Sequence, residues 1–405
     1  MSQQLLLGHR RMRLAVPLVG RDPDQHDRGA TPLELFFDLV FVVAVALAAE
    51  GLHHSIAEAH TAEGLVRFVM IFCAIYWAWV NFTWFSSAYD TDDVLFRALT
   101  FLSMTGALVF AAGVPRVMAD GDFSVIVAGY TLMRVAQILT WLRVVRGDEV
   151  RRATAVRYAG GLAVVQTAWV LTLLVLATPV WLAVCVPLAV VEVLLPLWAE
   201  RSEAIPWHAD HIAERYGLFM IIVLGESVLA TSRAVQTALD EGAAGAFAPV
   251  FVGGLLVLFS VWWAYFERPG DHLGSSRWWP YAWSYLHLVM FAAVAAVGAG
   301  LALVIEEAAH HGEVSATTAA AAVTVPYGLF LLSLWGMYVR RDEHAVRRFG
   351  VPVVVAVVAA LTLATRVGMA PGTVVLAVGL TAAALVVVEA WVRLRGGDGD
   401  GAVPV

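Results

Sequence analysis

Apolar residues in this chain fall in long, nearly unbroken runs, without the three-to-four-residue spacing of a helix half-exposed to water. A helical run of roughly 20 residues, rising 1.5 Å per residue, crosses the ~30 Å hydrocarbon layer of a bilayer. Twelve runs reach or approach that length: Leu33–Leu52, Leu65–Phe85, Val94–Gly113, Phe123–Val145, Val156–Ala177, Val180–Trp198, Ile212–Thr231, Phe247–Phe266, Tyr281–Ile305, Ala316–Val339, Val351–Gly368 and Thr373–Val392. The pattern predicts an all-α polytopic membrane protein of about twelve transmembrane helices joined by short connections, with the lipid bilayer as its main partner. Before residue 30 the apolar stretches Leu5–Leu7 and Leu14–Val19 are too short for a signal peptide, so the first span is expected to be its own insertion signal.

Composition agrees with this and removes several chemistries. The 405 residues are 60% hydrophobic and 15% charged, against roughly 45–50% and 25% in soluble domains. All 26 basic residues are arginine, so lysine Schiff-base chemistry is excluded. Cys73 and Cys185 both lie inside apolar runs and imply no disulfide framework. No phosphate loop, dinucleotide fingerprint, nucleophile elbow or zinc signature is present, and the net charge of −7 with scattered arginines points away from nucleic acid.

The arginines predict orientation. Twenty fall in the N-terminal tail, the even-numbered connections and the C-terminal tail, against Arg116, Arg233 and Arg366 in the odd-numbered connections. Arginine excess marks the cytoplasmic face, so both termini are expected there. The second six spans also echo the first: Glu34 and Glu214 open spans 1 and 7, and Tyr76-Trp-Ala-Trp79 is matched by Trp262-Trp-Ala-Tyr-Phe-Glu267. Arg146-Gly-Asp148-Glu149-Val-Arg151-Arg152 is matched by Arg341-Asp342-Glu343-His-Ala-Val-Arg347-Arg348, and Glu192 and Glu389 each follow Val-Val. Halves of six spans enter the membrane in the same sense, which makes them parallel repeats. The expected organisation is a tail over residues 1–30, a first repeat over 31–200, a second over 201–395, and a C-terminal tail over 396–405.

At Glu34-Leu-Phe-Phe-Asp38-Leu-Val-Phe-Val and Glu214-Arg215-Tyr-Gly-Leu-Phe-Met-Ile-Ile-Val-Leu-Gly225-Glu226-Ser the chain resembles the bacterial low temperature requirement protein A family. Tyr89-Asp90-Thr-Asp92-Asp93 and Trp262-Trp263-Ala-Tyr265-Phe266 are similar to further motifs of that family, with Glu267 following where the family usually has Asp. The likeness runs from about residue 28 to about 390. It implies a multi-pass inner-membrane protein linked by name to growth in the cold, and brings no reaction or substrate with it.

Candidate chemistry therefore rests on charges at membrane depth, each costing at least ~2.5–3.5 kcal/mol unless paired or hydrated. Asp38 lies one turn deeper than Glu34 on the same helix face. With Glu214, Glu192 and Glu389 these are expected to form a carboxylate layer near the cytoplasmic side, although Glu34 and Glu214 are equally well explained as helix N-terminal charges. Glu226 lies roughly 21 Å along span 7, about 20° around the helix from Arg215. Arg134 sits mid-way along span 4 and demands a carboxylate partner, for which Glu226 is the first expectation and Asp38 the second. Gly225 is expected to admit a close neighbour at Glu226. His287 is the one histidine well inside a span, able to titrate or simply to hydrogen-bond a neighbouring helix. His208, His211 and Glu214 share a helical stripe but do not complete a four-ligand metal site. Trp84, Trp141, Trp198, Trp207, Trp278 and Trp391 suit interfacial belts, and Trp262 and Trp263 suit either packing or a cavity wall.

These features point first to a transporter of a small solute or ion, with Asp38 and Glu226 as proton or cation sites and with Arg134 as their charge-balancing partner or an anion contact. The rivals are an intramembrane enzyme acting on a lipid or redox cofactor through His287 and Glu226, and a non-catalytic membrane component whose ion pairs only lock helices together. The cofactor, if any, is left open by the sequence.

Overall fold

A computed structural model describes residues 13–23, 25, 28–176, 178–240, 242, 244–267, 278–310, 314–338 and 345–396. Among these residues there are twelve α-helices and no strand. The helices are α1 (Pro32–Ala57), α2 (Thr61–Tyr89), α3 (Val94–Asp120), α4 (Ser124–Gly147), α5 (Arg152–Val175), α6 (Thr178–Ala199), α7 (Ala209–Asp240), α8 (Ala244–Phe266), α9 (Trp279–His310), α10 (Ala316–Tyr338), α11 (Ala345–Ala364) and α12 (Pro371–Gly396). Eleven are long and apolar enough to cross a membrane. The remaining helix, α6, has a shorter described apolar segment, Ala183–Ala199. The segments holding Arg10, Arg11, Arg268, Arg277 and residues 341–344 lie outside the described residues, and with them most of the second member of the Arg-Asp-Glu loop pair.

Local sequence sets several helix ends. Thr31 and Glu34 form a capping box at α1: the Thr31 N–H donates to Glu34 Oε2 at 2.8 Å and the Glu34 N–H to Thr31 Oγ1 at 3.3 Å. Pro32 takes the first helical position, where its missing N–H is harmless. Asp93 caps α3 by accepting from the Phe96 N–H at 2.7 Å, and Gly121 ends that helix in the left-handed region (φ 71°). Small residues then let helices close in. A Cβ on Gly106 of α3 would stand 2.7 Å from the Gly129 carbonyl oxygen of α4, and one on Gly379 of α12 would stand 3.0 Å from Gly253 Cα of α8. Backbone approach of this kind is how helices associate where lipid removes the hydrophobic drive.

Packing divides the chain into two compact units, one of Met1–Ala44 with Trp77–Arg215 and one of Val45–Tyr76 with Tyr216–Val405. These do not coincide with residues 31–200 and 201–395, because α1, α2 and α7 each contribute to both units. A repeat expected from sequence does not require each copy to pack alone. In the first unit α3–α4–α5–α6 pack in chain order, and in the second α9–α10–α11–α12 do the same, with α8 against α12.

Candidate functional site: buried ion pairs of the first unit

The described part of the N-terminal segment is a strap laid over one end of the first unit. Leu18 is fully buried in an aromatic core with Phe85, Tyr89, Trp141 and Tyr158, so the short apolar stretch Leu14–Val19 serves packing. Asp93 accepts from the Val16 N–H at 2.8 Å and from Arg143 Nη2 at 2.5 Å. Asp148 accepts from the Gly20 N–H at 3.2 Å and the Arg151 N–H at 3.1 Å. His208 Nε2 donates to the Gln25 carbonyl at 2.8 Å, and Glu214 accepts from the Ala30 N–H at 3.0 Å. The α2–α3, α4–α5 and α6–α7 connections thus lie at one end with the strap. Burial works to raise the Asp93 and Asp148 carboxyls, but these amide and arginine donors outweigh it and hold both below the usual carboxylate range. Asp90 goes the other way: burial, reinforced by the charge of Glu34, pushes it up.

Beneath the strap, α1 and α7 meet in a charged network. Arg215 grips Asp38 with two parallel bonds, Nε to Oδ2 at 2.9 Å and Nη2 to Oδ1 at 2.5 Å. Such forked guanidinium–carboxylate pairs are the strong, geometry-specific kind. Trp79 of α2 donates its indole N–H to Asp38 Oδ1 at 2.7 Å. The Arg215 Nη1 lies 3.1 Å from Glu34 Oε1 and donates to Ser86 Oγ at 3.3 Å. His211 Nε2 is 3.2 Å and Arg28 Nη2 3.8 Å from that same Glu34 oxygen. Asp38, Arg215 and His211 are 0% exposed, and Glu34 1%. Two carboxylates balance two guanidiniums, yet Arg28 Nε and His211 Nδ1 have no hydrogen-bond partner among the described residues. The network is charge-balanced without being saturated.

A second pair lies deeper. Arg134 of α4 bonds Glu192 of α6 and the Tyr130 hydroxyl through Nη2, and Gln137 Oε1 through Nη1 at 2.5 Å. Glu192 also accepts from Tyr130 at 2.7 Å and from the Trp169 indole at 2.8 Å. The expected partners of Arg134, Glu226 and Asp38, are therefore both replaced by Glu192. Seven residues separate Glu192 from the end of α6, about 10 Å of rise, and the long arginine side chain covers the remaining depth. A cavity of about 30 Å³ between α2, α3 and α4 borders Arg134, Gln137, Thr100 and Thr140.

The other candidates are distributed elsewhere. Glu389 is buried in the second unit, within electrostatic range of the Tyr327 hydroxyl, while in the first unit Glu34 and Asp38 share Arg215, Glu192 pairs with Arg134 and Glu214 holds the strap. Glu226 is half-buried with Arg233 and Glu50 as charged neighbours, and among the described residues a Cβ on Gly225 would meet nothing within 4 Å. His287 donates from Nδ1 to the Trp283 carbonyl at 2.8 Å, which fixes its tautomer and leaves Nε2 to accept from Tyr265 at 3.2 Å. His208, His211 and Glu214 turn to three different partners, and among the described residues no group of three His, Cys, Asp or Glu is placed to hold a metal. Trp141 is stacked on Tyr158 at 4.2 Å in the core and is no belt residue, whereas Trp262 and Trp263 are exposed.

Compared with known proteins, residues 29–390 match the family described as bacterial low temperature requirement A protein. The chain is also 30% identical over 243 residues to an uncharacterised protein of Rhizobium meliloti (strain 1021), covering 58% of this chain and 57% of that one. The match thus spans little more than half the length of that relative.

Proposed function

This chain belongs to the bacterial low temperature requirement A family, and we propose that it is a plasma-membrane transporter of a small solute or ion, coupled to protons through the carboxylates of its first compact unit. The observation that carries the reading is the Asp38–Arg215 pair, wholly buried one to two turns inside two helices otherwise suited to lipid. A static lock between helices is achieved more cheaply by apolar packing, since desolvating both ions offsets much of their attraction. A pair whose carboxylate takes up a proton in one state and releases it in another has a reason to be ionic. The unsaturated atoms around Glu34 leave that network room to rearrange.

Further support comes from the pattern of the two halves. Tyr130 and Glu192 recur as Tyr327 and Glu389, both displaced by the same number of residues, while Leu331 stands where Arg134 would recur. We read this as duplication followed by divergence, the arginine-paired site being kept in one half. The arginine bias supports a cytoplasmic position for both termini, and for the strap with them.

Radiotracer uptake into proteoliposomes under an imposed pH gradient, over a panel of inorganic ions, amino acids and sugars, tests the reading. At least one solute should accumulate above protein-free liposomes, and Glu192→Gln should lower its initial rate at least tenfold. No accumulation of any solute refutes it. The alternative of a non-catalytic component draws on the bidentate geometry of Asp38 and Arg215. It predicts that replacing both residues by apolar ones leaves cellular function intact.

A further inference from the structure

One turn of α2 touches both ion pairs. Trp79 donates to Asp38, while Asn81 accepts from Gln137 Nε2 at 3.1 Å, and Gln137 in turn accepts from Arg134. The next residue along α2 is Phe82. One side of its environment is the cavity beside Arg134, and the other is Arg215, whose guanidinium carbon is 5.8 Å from the Phe82 ring centroid. Phe37, the residue before Asp38, stacks on Phe82 at 3.7 Å and backs it from α1.

The cavity wall is mostly apolar, with one polar side, formed by Thr100, Ser103, Thr140, Arg134 and Gln137, that suits water. Thr100 and Thr140 spend their hydroxyl protons on the Phe96 and Ala136 carbonyls, so their oxygens present lone pairs as acceptors. Arg134 brings N–H donors. At about 30 Å³ the space holds one or two waters with the two to four polar partners that buried water requires, and it is too small for an organic solute. It therefore suits the coupling ion better than the cargo.

We infer that the Phe82 ring is the dry barrier between the Asp38–Arg215 pair and a hydrated chamber at Arg134, so that swinging it aside joins the two pairs into one water-lined route. Reading that route as a proton path rests on the transport function proposed above; the barrier itself does not. With Phe82 in place, Arg28, Glu34, Asp38 and Arg215 communicate on one side, and Arg134, Tyr130 and Glu192 on the other. Once it moves, a water file can bridge them.

The test is accessibility. In full-length protein carrying Cys73→Ala and Cys185→Ala, Thr100→Cys places a thiol in the chamber wall. Proteoliposomes are exposed to silver ion, a thiophilic probe close to water in size, and the remaining thiol is titrated with a maleimide after denaturation. The thiol should react slowly with Phe82 present, and at least tenfold faster in Phe82→Ala. Phe82→Trp should be no faster than the parent. Phe82→Leu, which preserves more packing, supplies an intermediate rate should the alanine variant fold poorly. A fast parent, or a Phe82→Leu rate within twofold of a slow parent, overturns the barrier. Gated labelling in a protein that moves neither protons nor solutes keeps the barrier and refutes the transport reading instead.

Discussion

Replacing Arg215 by methionine removes the cation that two buried carboxylates share. Asp38 loses both forked bonds, keeping only the Trp79 indole, and Glu34 keeps His211 and the more distant Arg28. Removing one partner of a buried pair costs about 3–5 kcal/mol, and the double role of Arg215 puts Arg215→Met near ~4 kcal/mol. Asp38→Asn should cost ~3 kcal/mol, since Arg215 retains Glu34. If the pair is one unit, the double variant should lose about 4 kcal/mol rather than the ~7 kcal/mol of independent sites, a coupling near 3 kcal/mol. Unfolding in mixed micelles titrated with sodium dodecyl sulfate, followed by tryptophan fluorescence, reads all four corners of the cycle. Coupling below ~0.5 kcal/mol, the scatter of independent sites, would mean that the two residues do not act together and that the geometry of the network has been misread.

Further expectations follow from the same contacts. Gly129→Ala puts a methyl into the Phe110 backbone and should cost about 1–3 kcal/mol, whereas Gly160→Ala meets nothing within 4 Å and should be neutral or stabilising by up to ~1 kcal/mol in the same unfolding assay. Thr31→Ala breaks the α1 capping box and should cost ~1 kcal/mol by that measure. The strap should respond to acid. Because the Asp93 and Asp148 carboxyls titrate below their ordinary range, their hold is complete above about pH 4–5 and is lost as pH falls through their lowered values. Hydrogen exchange at the Val16 and Gly20 amides, corrected for intrinsic rate, should be flat from pH 7 to 5 and rise below about 4, and Asp93→Asn should release Val16 at pH 7. Exchange that accelerates between pH 7 and 6 would contradict this.

The twelve helices were legible because the demand for about 20 apolar residues per span is local and imposes itself on composition. Asp38 and Arg134 were legible for the same reason, as charges where charge is costly. Their partners were not. Asp38 and Arg215 are 177 residues apart and Arg134 and Glu192 are 58, and which helix faces which is settled by packing between distant segments that spacing does not reveal. Glu192 lies about 10 Å of rise from the end of α6 and meets Arg134 because the arginine side chain spans the difference in depth, which counting along single helices does not reveal. The capping box Thr31-Pro-Leu-Glu34 stands openly in the sequence and accounts for half of what Glu34 does. The strap had one readable signal, the short apolar stretch around Leu18, but nothing local said that it would be buried.

On the transport reading, charge moves through the buried carboxylates of the first unit. Transient currents after a pH jump, recorded from proteoliposomes adsorbed on a solid-supported membrane, measure that most directly. Wild type should give a protein-dependent current whose sign follows the direction of the jump, and Asp38→Asn should reduce it at least tenfold while the protein remains folded and monodisperse. A wild-type current no larger than that of empty liposomes, or an Asp38→Asn current equal to wild type, would contradict the account.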